Sequence, residues 1–153
     1  MDLKNRKCGS CGEKSFKEVS NIKTWKHQWK DYPSVFLLEP ITVRECENCG
    51  EIATTLKESK IRDSIIESSI REQTSQFLEI ISSKTRLNFE DISIRLGYDK
   101  SYISRLKKKR VTAAFKLWNQ LKSIAINPNI IKNELDPSYD IMKKDILLRN
   151  RMS

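Results

Sequence analysis

Apolar positions follow two different periods along this chain, and the change falls near residue 55. Before it, β-branched and aromatic residues dominate: Phe16, Val19, Ile22, Trp25, Trp29, Tyr32, Val35, Phe36, Ile41 and Val43. The alternation Ile41-Thr42-Val43-Arg44 predicts a strand running into Cys46. Pro33 and Pro40 argue against a long uninterrupted strand. The length of the segment predicts an extra hairpin or loop. From about 55 to 83 the period becomes helical. Ile66, Ile70, Phe77 and Ile81 share one helix face, widened by Ile65 and Ile80. One long helix, or two broken near Ser68-Ser69, fits that pattern equally.

Three shorter helices are predicted next. Asn88 is an N-cap with Glu90 and Asp91 in the first turn, Phe89, Ile92 and Leu96 form the inner side, and Gly97 ends the helix. Asp99 or Lys100 opens the next one, which buries Ile103 and Leu106. Two short helices around a glycine turn are the core of a helix-turn-helix. A helix over about 113–125, with Phe115, Leu117, Trp118, Leu121 and Ile124, completes the bundle. Residues 127–153 are punctuated by Pro128 and Pro137 and turn helical near 141–148. That tail is expected to pack on the bundle, extend a dimer interface or stay partly mobile.

Charge singles out one region. The net charge is +9, yet residues 61–125 hold 13 Lys/Arg against 7 Asp/Glu, and no acidic residue lies between Lys100 and Lys122. Lysine runs are usually solvated faces. A run joined to a helix-turn-helix pattern points instead to a polyanion. On the second helix Lys100, Ser101, Ser104 and Arg105 occupy outward positions where such helices meet base edges. Arg105 suits a bidentate guanine contact, Tyr102 a thymine methyl or the backbone, and Lys107, Lys108, Lys109 and Arg110 suit phosphates.

All four cysteines lie in two Cys-x-x-Cys-Gly copies, Cys8/Cys11/Gly12 and Cys46/Cys49/Gly50. This spacing places four thiolates for one tetrahedral, structural Zn²⁺ per chain. Two disulfides are the competing reading. They belong to secreted chains, and the first residues lack the apolar run of a signal peptide. With no apolar stretch near the ~20 residues of a membrane span, the expectation is a soluble, cytoplasmic protein. Four cysteines close the metal site and leave no Ser/His/Asp or Cys/His set, so no enzymatic activity is expected. His27, the one histidine, is read as surface or packing rather than as a ligand. Trp25, Trp29, Tyr32 and Phe36 are either ribbon core or a display for a protein partner.

Taken together, the string from Leu87 to Leu106 resembles the Xre/Cro helix-turn-helix family. A paired Cys-x-x-Cys-Gly ribbon ahead of it resembles the MqsA-type (YgiT-type zinc finger) antitoxins. The likeness covers about residues 8–125 and rests on motif order and spacing. It implies structural zinc on Cys8, Cys11, Cys46 and Cys49, and base reading by Ser101 and Arg105. It further implies a homodimer on a palindromic operator in double-stranded DNA, autorepression of a toxin–antitoxin operon, and a toxin bound by the ribbon. Where many family members carry Glu and Gly after the recognition helix, this chain has Lys107 to Arg110.

The expected architecture is α+β: a zinc ribbon over 1–56, an all-α Xre/Cro-like helix-turn-helix bundle over 57–126, and a helical tail over 127–153. Competing functions are a phage-type or mobile-element regulator without a toxin, a zinc-ribbon interaction adaptor, and an RNA-binding protein that stacks bases on ribbon aromatics.

Overall fold

The structure, a computed structural model, describes residues 5–133. It is α+β: a small three-stranded antiparallel sheet followed by helices. The chain divides into two compact units, and the division falls between Ile70 and Arg71, inside one helix.

The first unit is built on β1 (Phe16–Trp25), β2 (Val35–Cys46) and β3 (Ile52–Ala53), in the order β1-β2-β3. The alternation read at Ile41 and Val43 is borne out, and both side chains are buried. The expectation drawn from Pro40 needs correction, because β2 runs through it for 12 residues. Pairing nevertheless breaks there: Ile22 faces Ile41, but Thr24 faces Phe36, so residues 37–40 bulge out of register. A proline is tolerated in a bulge because no ladder bond needs its missing N–H. The neighbouring Leu38 N–H turns to the Ser69 hydroxyl at 3.1 Å instead. A second irregularity in β1 surrounds Asn21, whose φ of 58° is left-handed. Between the strands, Trp29 and Tyr32 exchange both backbone hydrogen bonds across a two-residue turn with Lys30 at φ 52°. This is the extra hairpin expected from length. It puts Trp25, Trp29 and Tyr32 in the core, and only Phe36 of the four aromatics is exposed.

α1 (Leu56–Thr85) is a single helix. It opens on a capping box that sequence reading overlooked: the Glu58 N–H donates to Thr55 Oγ1, and Thr55 N–H donates to Glu58 Oε2 at 2.8 Å. The Ser68-Ser69 pair does not break it. Ser69 is buried and gives its hydroxyl proton to the Ile65 carbonyl. Ile66 and Ile70 are fully buried, each such side chain contributing about 1.5–3 kcal/mol.

The second unit contains the rest of α1, α2 (Phe89–Leu96), α3 (Lys100–Lys107), α4 (Phe115–Ile126) and α5 (Asn129–Asn133). Its core gathers Leu78 and Ile81 of α1, Ile92 of α2, Ile103 and Leu106 of α3, Leu117, Leu121 and Ile124 of α4, and Ile131. Asn88 caps α2 as read, its Oδ1 accepting from the Asp91 N–H at 2.8 Å. Gly97 at φ 72° ends α2, with its own N–H on the Ile94 carbonyl and that of Tyr98 on the Ser93 carbonyl. Asp99 caps α3 by accepting from the Ser101 N–H at 2.7 Å. The helix read near 141–148 lies outside the described residues.

Candidate metal centre and basic helix face

The two cysteine knuckles are built alike. In each, the first cysteine's N–H donates to the glutamate five residues on, and the glycine N–H donates back to the first cysteine's carbonyl. Gly12 and Gly50 hold φ of 76° and 77°, the left-handed region the turn requires. The fold turns backbone N–H groups of Ser10 and Cys11 toward the Cys8 sulfur, of Glu13 toward Cys11, and of Glu51 toward Cys49. Such donors favour thiolates.

The four sulfurs of Cys8, Cys11, Cys46 and Cys49 all lie within 4.8 Å of one another. Across the knuckles, Cys8 and Cys49 approach to 3.4 Å and Cys11 and Cys46 to 3.6 Å. A tetrahedron with Zn–S bonds of about 2.3 Å has S···S edges of about 3.8 Å. The cluster therefore fits a four-thiolate metal ion. His27 is not among these ligands; it is exposed and packs on Trp25 with ring centroids 5.0 Å apart.

Glu51, which sequence reading did not single out, touches this centre. Its Oε2 accepts from the Cys8 thiol at 2.8 Å and from the Ser10 N–H at 2.9 Å. Holding that proton pushes Cys8 up to about 12, chiefly through the Glu51 carboxylate. Cys11 goes the other way, down to about 6, because the Asn48 side chain and the Glu13 N–H support its thiolate. A metal held by these four cysteines would need Cys8 as thiolate, so the thiol proton that Glu51 accepts would have to leave. The signal that would have revealed Glu51 is that both knuckles read Cys-x-x-Cys-Gly-Glu.

α3 is two-faced. Ile103 and Leu106 are fully buried, whereas Lys100, Ser101 and Arg105 are exposed. Tyr102 and Ser104 are half-buried. The Tyr102 ring lies 5.7 Å from that of Tyr98, with the Arg105 guanidinium 5.8 Å from its centroid. Beyond α3, the Lys109 N–H bonds the Leu106 carbonyl and the Arg110 N–H the Arg105 carbonyl, while Lys109 sits at φ 59°. This is a Schellman turn made without glycine. α1 secures it: Ser75 Oγ donates to the Lys107 carbonyl at 2.7 Å, and Arg71 Nε to Thr112 Oγ1 at 2.8 Å.

The nine residues read as DNA-contacting thus lie on one helix and the turn after it, but their charges are not equivalent. Lys100 pairs with Glu90 at 2.7 Å, Lys107 with Glu79 at 3.7 Å, and Lys109 with Glu72. Arg105, Lys108 and Arg110 have no ion-pair partner among the described residues. Glu72 and Glu79 stand seven residues apart on α1, a spacing that returns to the same helix face. Sequence reading missed them because they precede the basic run by about thirty residues.

Among the described residues no helix is long and apolar enough to cross a membrane. No protein-family model matches the chain and no curated protein matches it, so the reading of both sites rests on their own geometry.

Proposed function

We propose that this protein is a sequence-specific DNA-binding repressor whose N-terminal unit is clipped by one structural Zn²⁺. The observation that carries the proposal is the division of α3: two side chains at 0% exposure anchor it, and Lys100, Ser101 and Arg105 face solvent on the other side. α2 and α3 then serve as the helix-turn-helix of an Xre/Cro-type fold, with α3 in the major groove. Arg105 reads a base, Ser101 and Ser104 assist, and Lys108 and Arg110 hold phosphates.

Cys8, Cys11, Cys46 and Cys49 hold the metal, which supplies the cross-link that a small sheet needs in place of a large core. A closed four-thiolate site offers no position to a substrate, so the proposed role is not enzymatic. The antitoxin reading completes the proposal: a homodimer bridging two half-sites about 34 Å apart, in the cytoplasm, with a toxin on the N-terminal unit. Phe36 and Leu38, 56% and 49% exposed on β2, favour a protein partner there. The RNA reading is weaker, because Trp25, Trp29 and Tyr32, which would stack on bases, are buried.

The test is selection from a random duplex pool on the purified protein, which is expected to return a palindrome. Arg105→Ala should lose about 1–3 kcal/mol of discrimination at one position per half-site. Recovery of no preferred duplex by the wild-type protein refutes the proposal.

A further inference from the structure

Half of the cations on the proposed DNA face are already held by the protein's own carboxylates. Glu90 takes Lys100, Glu79 takes Lys107 and Glu72 takes Lys109. All six partners keep roughly a third or more of their side-chain surface in water. A phosphate approaching one of these lysines therefore replaces a carboxylate of equal charge, in the same solvent and at a similar distance. The displaced carboxylate stays close by and repels the incoming phosphate. Such an exchange yields little, whereas Lys108 and Arg110 have no ion-pair partner among the described residues, and Arg105 feels the Asp99 carboxylate without forming an ion pair with it.

We infer that Glu72, Glu79 and Glu90 act through their lysine partners as a charge brake that suppresses sequence-independent binding to duplex DNA. The inference rests on the DNA-binding reading of α3 and adds what sets its selectivity. Backbone phosphates are the same at every site. Cancelling Lys107 and Lys109, which suit phosphates, and Lys100, which suits a phosphate or a base, lowers non-specific binding, while base contacts by Arg105 are unaffected. The three carboxylates are positioning residues, because they touch lysines rather than DNA.

The experiment uses the full chain, the Glu72→Gln, Glu79→Gln and Glu90→Gln variants and their triple combination, with a mixed-sequence 30-base-pair duplex as probe. Fluorescence anisotropy from 50 to 200 mM salt gives the slope of log affinity against log salt. Each glutamine should free one lysine for a phosphate and steepen the slope by about 0.9. The triple variant should be about 2.7 steeper and lose about 40-fold more affinity than wild type across that salt range. Circular dichroism confirms that each variant keeps its helix content, and the single variants carry the test if the triple variant does not.

An unchanged slope with the wild-type protein binding DNA overturns the inference alone. A fall in affinity also overturns it, since the carboxylates would then be aligning the lysines for phosphates. Binding by neither wild type nor variant overturns the DNA reading itself, and the brake with it.

Discussion

Lys109 offers a sharp test of the local physics around the proposed recognition helix. It closes the Schellman turn after α3 at φ 59°, a conformation in which an L-residue crowds its Cβ against the following carbonyl. That strain costs about 1–2 kcal/mol, and glycine escapes it. Glycine also loses more chain entropy on folding, about 0.5–1 kcal/mol relative to alanine. The ion pair with Glu72, with Lys109 48% exposed, is worth at most ~1 kcal/mol and disappears in either variant. Comparing Lys109→Gly with Lys109→Ala therefore cancels the ion pair and isolates the backbone. Glycine should be the more stable by roughly 0.5–1 kcal/mol. At an ordinary helical position the order would be reversed. Urea titration followed by circular dichroism measures the difference, and a domain of this size should show a gap of about 2–8 °C in melting temperature. Alanine equal to or above glycine would refute the left-handed turn and the exit path it gives Arg110.

Two further outcomes are expected. Metal analysis should find one Zn²⁺ per chain, and a chelator should expose Trp25 and Trp29 to solvent, read by a red-shifted fluorescence, while most helical signal persists; metal-free protein with two disulfides would contradict this. Stability should also decline in acid. Glu72 lies below the ordinary glutamate value of 4.5, chiefly through its bond from Lys109, and Glu58 does so through the Thr55 N–H. Groups whose folded value is depressed contribute fully above the unfolded value and lose that contribution as pH falls through the folded one. Denaturation midpoints should thus fall below about pH 4.5, less so in Glu58→Gln; a flat profile from pH 6 to 3 would count against both contacts.

Much of the fold was legible because it depends on near neighbours. Asn88, Gly97 and Asp99 cap helices through bonds spanning two to five residues, so composition at those positions suffices. The spacing within each Cys-x-x-Cys pair is local, and the pairing of β1 with β2, Phe16 facing Cys46, brings the two knuckles together into the fourfold sulfur cluster. Pro40 misled because its effect depends on a partner strand: it sits where β2 bulges away from β1 and no ladder bond is demanded of it. The ribbon aromatics were ambiguous for a similar reason. Their burial depends on the Trp29–Tyr32 turn, which itself depends on Lys30 accepting a left-handed φ that no glycine advertises.

The basic face shows why counting charges along a sequence overstates a binding surface. From Lys100 to Lys122 the chain has no acidic residue, and the run from Lys107 to Arg110 reads as four free cations. Folding brings Glu72 and Glu79 across from α1 and Glu90 across from α2. Three exposed pairs add little to stability, since such pairs are worth about 0–1 kcal/mol each. If the proposed DNA face is right, their larger consequence is for recognition, because the counterions a polyanion would release depend on cations not already neutralised. On the proposed DNA-binding reading, a face that carries Arg105, Lys108 and Arg110 without ion-pair partners among the described residues would depend less on the phosphate backbone and more on what Arg105 finds in the groove. Selectivity of that kind would come from the acidic residues that the basic run, taken alone, conceals.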